Sequence, residues 1–456
     1  MPPTSTSATY LRGAILHFRA DPGEAADSTA WQYLDDGALR IVDGKVAALG
    51  PAADILAARK PDDALHDHRG KLILPGFVDT HVHSAQVDVI ASYGRQLLDW
   101  LNDYTFPAER AFADPEHAAR LAGIFLDNLL ANGTTTAAVY PTVHRQSVDA
   151  FFAAAEARNL RMICGKVMMD RHAPDYLRDD VAGAEADNRA LIERWHGKGR
   201  LGYALTPRFA PTSTPEQLAM TGRLYREHPG LWLQTHLAEN HDEIKWVREL
   251  FPAARSYLDV YEGFGLLGKR SIFAHCLHLD EADRARFQAS DSTMSFCPTS
   301  NLFIGSGLFD LQAARALGIR VGLATDVGGG TSYSLLQTLA EAYKVLMLRH
   351  QRLNVWRGLW LATLGGAECL SLADRIGNFA VGKEADCVVL DFAATPVLQR
   401  RTEIASVPAS MWSAVASAAV KELSSEMGED ERERKPPTFR VGFNRISPLV
   451  GRELGV

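Results

Sequence analysis

Cysteine is scarce in this chain. The 456 residues hold five, at 164, 276, 297, 369 and 387. No two form a C-x-x-C pair, and a dispersed odd set does not make a disulfide scaffold. A reducing compartment, the cytoplasm, is the expectation. Excess positive charge is also missing: 48 Lys and Arg against 55 Asp and Glu leave a net charge of −7. Nucleic acid is therefore excluded as the main partner, because phosphate binding needs a basic surface. Long apolar runs are absent too. The longest uncharged stretches, 292–309 and 404–420, are rich in Ser, Thr, Gly and Ala and too polar to span a membrane. The opening MPPTSTSATYLRGAILHF lacks the basic and apolar blocks of a signal peptide.

What is present is an ordinary globular composition, 46% hydrophobic and 23% charged, long enough to bury a large core. Residues 8–75 contain short β-like runs punctuated by Gly and Asp, the texture of a small antiparallel sheet. From residue 76 short apolar runs alternate with amphipathic segments, as in βα units. Eight runs read as strands: 77–83, 134–140, 161–168, 201–207, 231–236, 271–275, 293–297 and 320–326. Helical periodicity fills the gaps, for example over 115–131, 146–159, 184–196, 215–227, 280–289 and 332–350. Asp114-Pro115 and Thr214-Pro215 read as helix starts, and Asn132-Gly133 as a helix stop. The pattern predicts an α/β chain whose core is a (β/α)8 TIM-type barrel. The expected boundaries are 1–75 for the N-terminal part of a small β-sandwich, 76–375 for the barrel, and 376–403 for the C-terminal part of the sandwich. Residues 404–456 read as a divergent tail that could be partly disordered; its charge run at 421–437 is a solvated helix or linker.

His81 and His83 end the first barrel strand. Residues i and i+2 of a strand share a face, so both imidazoles can reach one ion. Alone, an H-x-H reads equally as two ordinary histidines. Here His236, His275 and Asp326 end the fifth, sixth and eighth strands, at the end of the barrel where active sites lie. Imidazoles with one carboxylate suit Zn²⁺ or a similar ion, which brings the pKa of a bound water to about 7. Glu239, three residues past His236, is placed for general acid/base work. The fourth strand ends Leu205-Thr206-Pro207-Arg208 with no Lys to bridge a second ion, so one metal is expected; Lys166 reads as structural. The H-x-E with P-C-x-x-C signature of the other zinc deaminase fold is missing.

Pro75 to His83, with His236, His275 and Asp326, resembles the metal-dependent amidohydrolase superfamily. Further segments are similar to the guanine deaminases within it: HSAQ (83–86), LLDWLNDYTFPAE (97–109), NGTTTA (132–137) and TPRFAPTST (206–214). THLAEN (235–240), FAHCLHL (273–279), FCPTSNLFIGSGLF (296–309) and ATDVGGGTSYSLLQTL (324–339) continue the likeness, which spans about residues 8–400. The resemblance implies His81, His83, His236 and Asp326 as zinc ligands, one ion per subunit. It implies Glu239 as proton shuttle, and His275 with Asp326 as the groups that orient the water. Gln86, Arg208 and Phe209 would line a purine pocket, with Trp100 closing it. The implied reaction is hydrolytic deamination of guanine to xanthine by a cytoplasmic homodimer, acting on a small molecule and on neither nucleic acid nor membrane. Arg208 suits guanine because its rigid fork of donors matches adjacent O6 and N7 acceptors, whereas adenine presents an amino donor there. Sister activities share the metal set: deamination of another purine, a pterin or cytosine, or removal of chloride from a triazine. A non-catalytic scaffold would have lost metal ligands, and here every ligand position is filled. The tail beyond about residue 403 does not resemble the family's usual ending.

Overall fold

A computed structural model of the protein describes residues 7–93 and 96–394, together with 396, 399 and 400. The tail 404–456 lies outside the described residues. The chain begins with β1 (Thr9–Phe18), β2 (Trp31–Val42), β3 (Lys45–Pro51) and β4 (Ala64–Pro75). Asp43-Gly44 joins β2 to β3. Both residues have positive φ, 51° and 71°, which is the two-residue turn whose twist suits an antiparallel pair.

The barrel strands follow as β5 (Phe77–His83), β6 (Thr134–Tyr140), β7 (Arg161–Cys164), a two-residue β8 (Val167–Met168), β9 (Gly202–Pro207), β10 (Trp232–Leu237), β11 (Ser271–His275), β12 (Thr293–Phe296) and β13 (Arg320–Leu323). They pair in parallel in the order β5-β6-β7-β9-β10-β11-β12-β13, with β8 alongside β9. Every residue of β5 and β6 is buried, as expected of strands covered on both faces. The seam between β13 and β5 is drawn together at its C-terminal end. The Asp326 N–H donates to the His81 carbonyl at 3.0 Å, and the His83 N–H donates to that of Val327 at 2.8 Å. The result is a nearly closed (β/α)8 barrel, as the sequence pattern predicts.

Two predicted strands depart from their expected ranges by more than one residue. RMICGKVM is interrupted at Gly165-Lys166, where a side chain on residue 165 would meet the Ala204 carbonyl and the Lys166 N–H donates to the Tyr203 hydroxyl at 3.2 Å. RVGLATD leaves the sheet after Leu323. The Thr325 N–H and hydroxyl turn instead to the buried Asp79 carboxylate, and Asp326 adopts φ 52°.

The helices start and stop where their caps predict. Pro115–Ala131 is capped by Asp114, and Pro215–Glu227 by Thr214. The first of these ends in Asn132-Gly133, with Gly133 at φ 79°. The last described strand, β14 (Cys387–Leu390), returns to pair antiparallel with β4. It completes a five-stranded sheet, β14-β4-β1-β2-β3, assembled from both chain ends. Behind the barrel Glu384 takes hydrogen bonds at 2.8 Å from the Nε atoms of both Arg161 and Arg200, and Arg200 also pairs with Asp386. This half-buried cluster ties the approach to β14 to the starts of β7 and β9. No helix among the described residues is long and apolar enough to cross a membrane.

Candidate metal centre and active site

The ends of four strands converge on a small group of ligand atoms. His81 and His83, two apart on β5, bring their Nε2 atoms to 3.2 Å. His236 at the end of β10 places its Nε2 3.3 Å from that of His83. Asp326, just past β13, sets Oδ1 3.1 Å from His81 Nε2 and 3.3 Å from His83 Nε2. Separations of this size suit an ion with ligand arms of about 2.0–2.2 Å, and His81, His83 and His236, like His81, His275 and Asp326, bring ligand atoms within 4.8 Å of one another. The donor chemistry fits as well. Burial drives His81 down to about 4 and His236 well below the usual imidazole value, which keeps their lone pairs free. Burial alone would raise Asp326, but hydrogen bonds and charge from His81, His83 and His275 hold its carboxyl well below the usual range. The His236 Nδ1–H donates to the Arg208 carbonyl at 2.7 Å, which fixes Nε2 as the atom facing the group.

His275 ends β11 at φ 69°, turned toward the same point. Its Nδ1–H donates to the Asn301 side-chain oxygen at 2.9 Å. Its Nε2 stands 3.4 Å from Glu239 Oε2 and 3.8 Å from Asp326 Oδ2. Burial disfavours its charged form, yet Glu239, Asp326 and the bond to Asn301 more than offset this, so its proton is held more tightly than usual. Glu239 lies in the turn after β10, only 3% exposed. Burial pushes its carboxyl up to about 7, so it can take and release a proton near neutrality. The Ser306 hydroxyl donates to its Oε1 at 3.1 Å.

These groups open onto one cleft. Gln86, Trp100, Arg208, Phe209, Glu239, His83, His236, His275 and Asp326 all line it, and His81 adjoins it through His83 and Asp326. Every residue expected at the site from the sequence is thus brought together. Trp100 sits on the short helix Leu97–Trp100, with its indole N–H spent on the Ser92 carbonyl at 3.1 Å. Arg208 is 3% exposed. Lys166, read as structural, is paired at 2.6 Å with Asp179.

Other groups at the site were not picked out from the sequence; Glu109, Asn301 and Ser306 lie in the quoted segments, and Glu243 lies just beyond one. Glu109 is wholly buried and accepts from Arg208 through both oxygens, at 2.8 and 2.9 Å. Glu243, also wholly buried, accepts from the N–H groups of Glu239 and Asn240 at 2.9 and 3.1 Å and from the Tyr257 hydroxyl at 2.8 Å. Burial raises the Glu243 carboxyl in spite of those bonds. Asn301 and Ser306 complete the set. Only Glu243 had a local cue: Asn240 and Glu243 stand in capping-box spacing at the start of helix His241–Leu250.

The chain matches the Amidohydrolase family over residues 72–424, beyond the point near 403 where the sequence reading ends the resemblance. It is 52% identical over 381 residues to the guanine deaminase of Escherichia coli K12, covering 84% of this chain and 86% of that one. The solved structure of E. coli guanine deaminase superposes with a TM-score of 0.88, covering 90% and 95% of the two chains at 49% identity. A probable guanine deaminase of Deinococcus radiodurans is 43% identical over 386 residues, 83% of this chain and 88% of its own. A guanine deaminase from C. acetobutylicum, solved with guanine bound in its active site, superposes at TM-score 0.81 and 26% identity, covering 90% and 96%. The chain belongs to the amidohydrolase family and, within it, to the guanine deaminases.

Proposed function

We propose that this protein converts guanine and water to xanthine and ammonia. The observation that carries the reading is one cleft holding three kinds of group. These are the His81-His83-His236-Asp326 quartet, a buried acid poised near neutrality, and an arginine turned toward the same space. The likeness to guanine deaminases supports the choice of base.

In this reading the quartet holds one zinc ion per subunit, which when bound makes a water nucleophilic at neutral pH. The protein's own groups do the rest. Arg208 donates to O6 and N7 of guanine, Gln86 donates beside it, and Phe209 and Trp100 enclose the flat ring. C2 is thereby presented to the water. Glu239 takes a proton from the water and delivers it to ring N3 as the new C–O bond forms. It then takes the proton of the hydroxyl now on C2 and passes it to the exocyclic amine, so that C2=O forms as the bond from C2 to that amine breaks and ammonia leaves. His275, held by Asn301, and Asp326 orient the water.

Residues 76–375 form the catalytic unit of this proposal, with 1–75 and 376–403 as its companion β-structure. A homodimer in the cytoplasm is part of the same proposal. The likeness to guanine deaminases supports it, and five buried, unpaired cysteines agree with a reducing compartment.

The ultraviolet change from guanine to xanthine tests the activity directly in the zinc-loaded protein. Wild type is expected to turn over guanine, with Glu239→Gln slower by about 10²–10⁴. Arg208→Gln should lose kcat/KM for guanine. A wild-type protein inert on guanine would overturn the assignment.

A further inference from the structure

The short helix Phe106–Arg110 forms a seat for Arg208. Phe106 and Glu109 are three apart and share a face of this helix. The Phe106 ring lies 5.3 Å from the centre of the Arg208 guanidinium. Glu109 takes one amino group of that guanidinium with both carboxylate oxygens, at 2.8 and 2.9 Å. The other guanidinium nitrogens have no protein acceptor among the described residues. They remain available on a side chain that lines the cleft.

Gln86 is fixed by the same carboxylate. Its amide nitrogen donates to Glu109 at 3.4 Å, and its oxygen accepts the Gly328 N–H at 3.0 Å. A carboxylate only accepts and a backbone N–H only donates, so this pair of partners sets which way the amide points. The second amide hydrogen of Gln86 is left as a donor. Glu109 itself is wholly buried and does not line the cleft. It also neutralises a buried guanidinium, so the cleft is built for an uncharged ring rather than an anion.

We infer that Glu109 is the positioning residue that turns Arg208 and Gln86 into a matched set of donors, so that the cleft selects a base with adjacent acceptors. The inference deepens the guanine reading and rests on it. 2-Aminopurine separates the two. It carries the same amine at C2 but lacks the O6 acceptor, so it can react without the contact that Glu109 organises.

The experiment compares kcat and KM for guanine and 2-aminopurine in wild type, Glu109→Gln, Glu109→Asp and the exposed-site control Glu116→Gln. Wild type should favour guanine. Glu109→Gln should shrink that preference by about tenfold or more, through a guanine KM that rises by a larger factor than kcat falls. Glu109→Asp keeps the charge and should restore part of the preference; it also supplies the test if Glu109→Gln does not fold. Glu116→Gln should match wild type. A preference unchanged in a folded Glu109 variant, or constants that fall equally for both bases, would overturn this inference alone. A wild type inert on guanine would overturn it together with the reading on which it rests.

Discussion

Glu243 offers the sharpest test of how the fold supports the chemistry. It is wholly buried, and three donors converge on its carboxylate: the N–H groups of Glu239 and Asn240, and the Tyr257 hydroxyl. The first two belong to the turn that carries Glu239, four residues past the β10 residue Thr235. Glu243→Ala strands all three donors. A lost hydrogen bond costs about 1 kcal/mol net, and more when the donor stays buried. The expected loss of stability is therefore about 3 kcal/mol, with the capping box at helix His241–Leu250 included in that loss. Glu243→Gln keeps the volume and one oxygen for the two backbone donors, and the Tyr257 hydroxyl can rotate to accept from the new amide. Its cost should be about 1 kcal/mol. Activity should divide in the same way. With the turn loosened, Glu239 is displaced from its proton path, and misplacement of about 1 Å costs about a hundredfold. Glu243→Ala should thus lose kcat by about ten- to a hundredfold while KM changes little, because Arg208 and Gln86 are untouched. Urea denaturation followed by tryptophan fluorescence reads the first effect, and initial rates on guanine read the second. An alanine variant as stable and as fast as wild type would refute the reasoning. A glutamine variant as damaged as alanine would show that charge, not acceptor geometry, is what the turn needs.

Three further outcomes follow from the same geometry. Asn301→Leu removes the acceptor that fixes His275 Nδ1; kcat should fall by about tenfold or more with bound metal, measured by atomic emission, unchanged. Removing the metal with a chelator should lower the melting temperature, and zinc should restore it where magnesium does not, because imidazole nitrogens suit zinc and not a hard oxygen-seeking ion. Glu384→Gln should leave activity at 25 °C intact but cost about 2–3 kcal/mol at pH 7, since it leaves the buried Arg161 short of its partner. Burial pushes the Glu384 carboxyl up, but bonds and charge from Arg161 and Arg200 prevail and hold it below its ordinary value. That stability is therefore present above the unfolded carboxyl range and lost as pH falls through the folded value. Melting curves of wild type and variant should therefore draw together only as pH falls below the ordinary carboxyl range and through that folded value.

The barrel was legible because its signals are local. A strand buried on both faces is a short apolar run, and the helix after it declares itself by period and cap. The predicted ends failed where a distant group decided the matter. RVGLATD reads as seven strand residues, yet Asp79, 246 residues away, draws Thr325 out of the ladder. Between β7 and β8 the Lys166 N–H goes to the Tyr203 hydroxyl, 37 residues away on another strand.

The site divides along the same line. His81, His83, His236, His275 and Asp326 are uncommon residue types at matching places on successive strands, so their pattern survives without coordinates. Their supports are common residue types whose roles depend on where the chain returns. Glu109 and Glu116 illustrate this. They lie seven residues apart, Glu109 in helix Phe106–Arg110 and Glu116 in helix Pro115–Ala131. One is wholly buried beneath Arg208, 99 residues away in the chain; the other is exposed in the first turn of a helix. The Asp114-Pro115 start marks Glu116 as a first-turn acid, but nothing local marks Glu109 as buried, because a buried carboxylate is stabilised by its partner and not by its neighbours in sequence. The groups suited to touch the reacting atoms could therefore be read from residue type and spacing, while those that aim them emerge only once β9 has carried Arg208 back to residue 109.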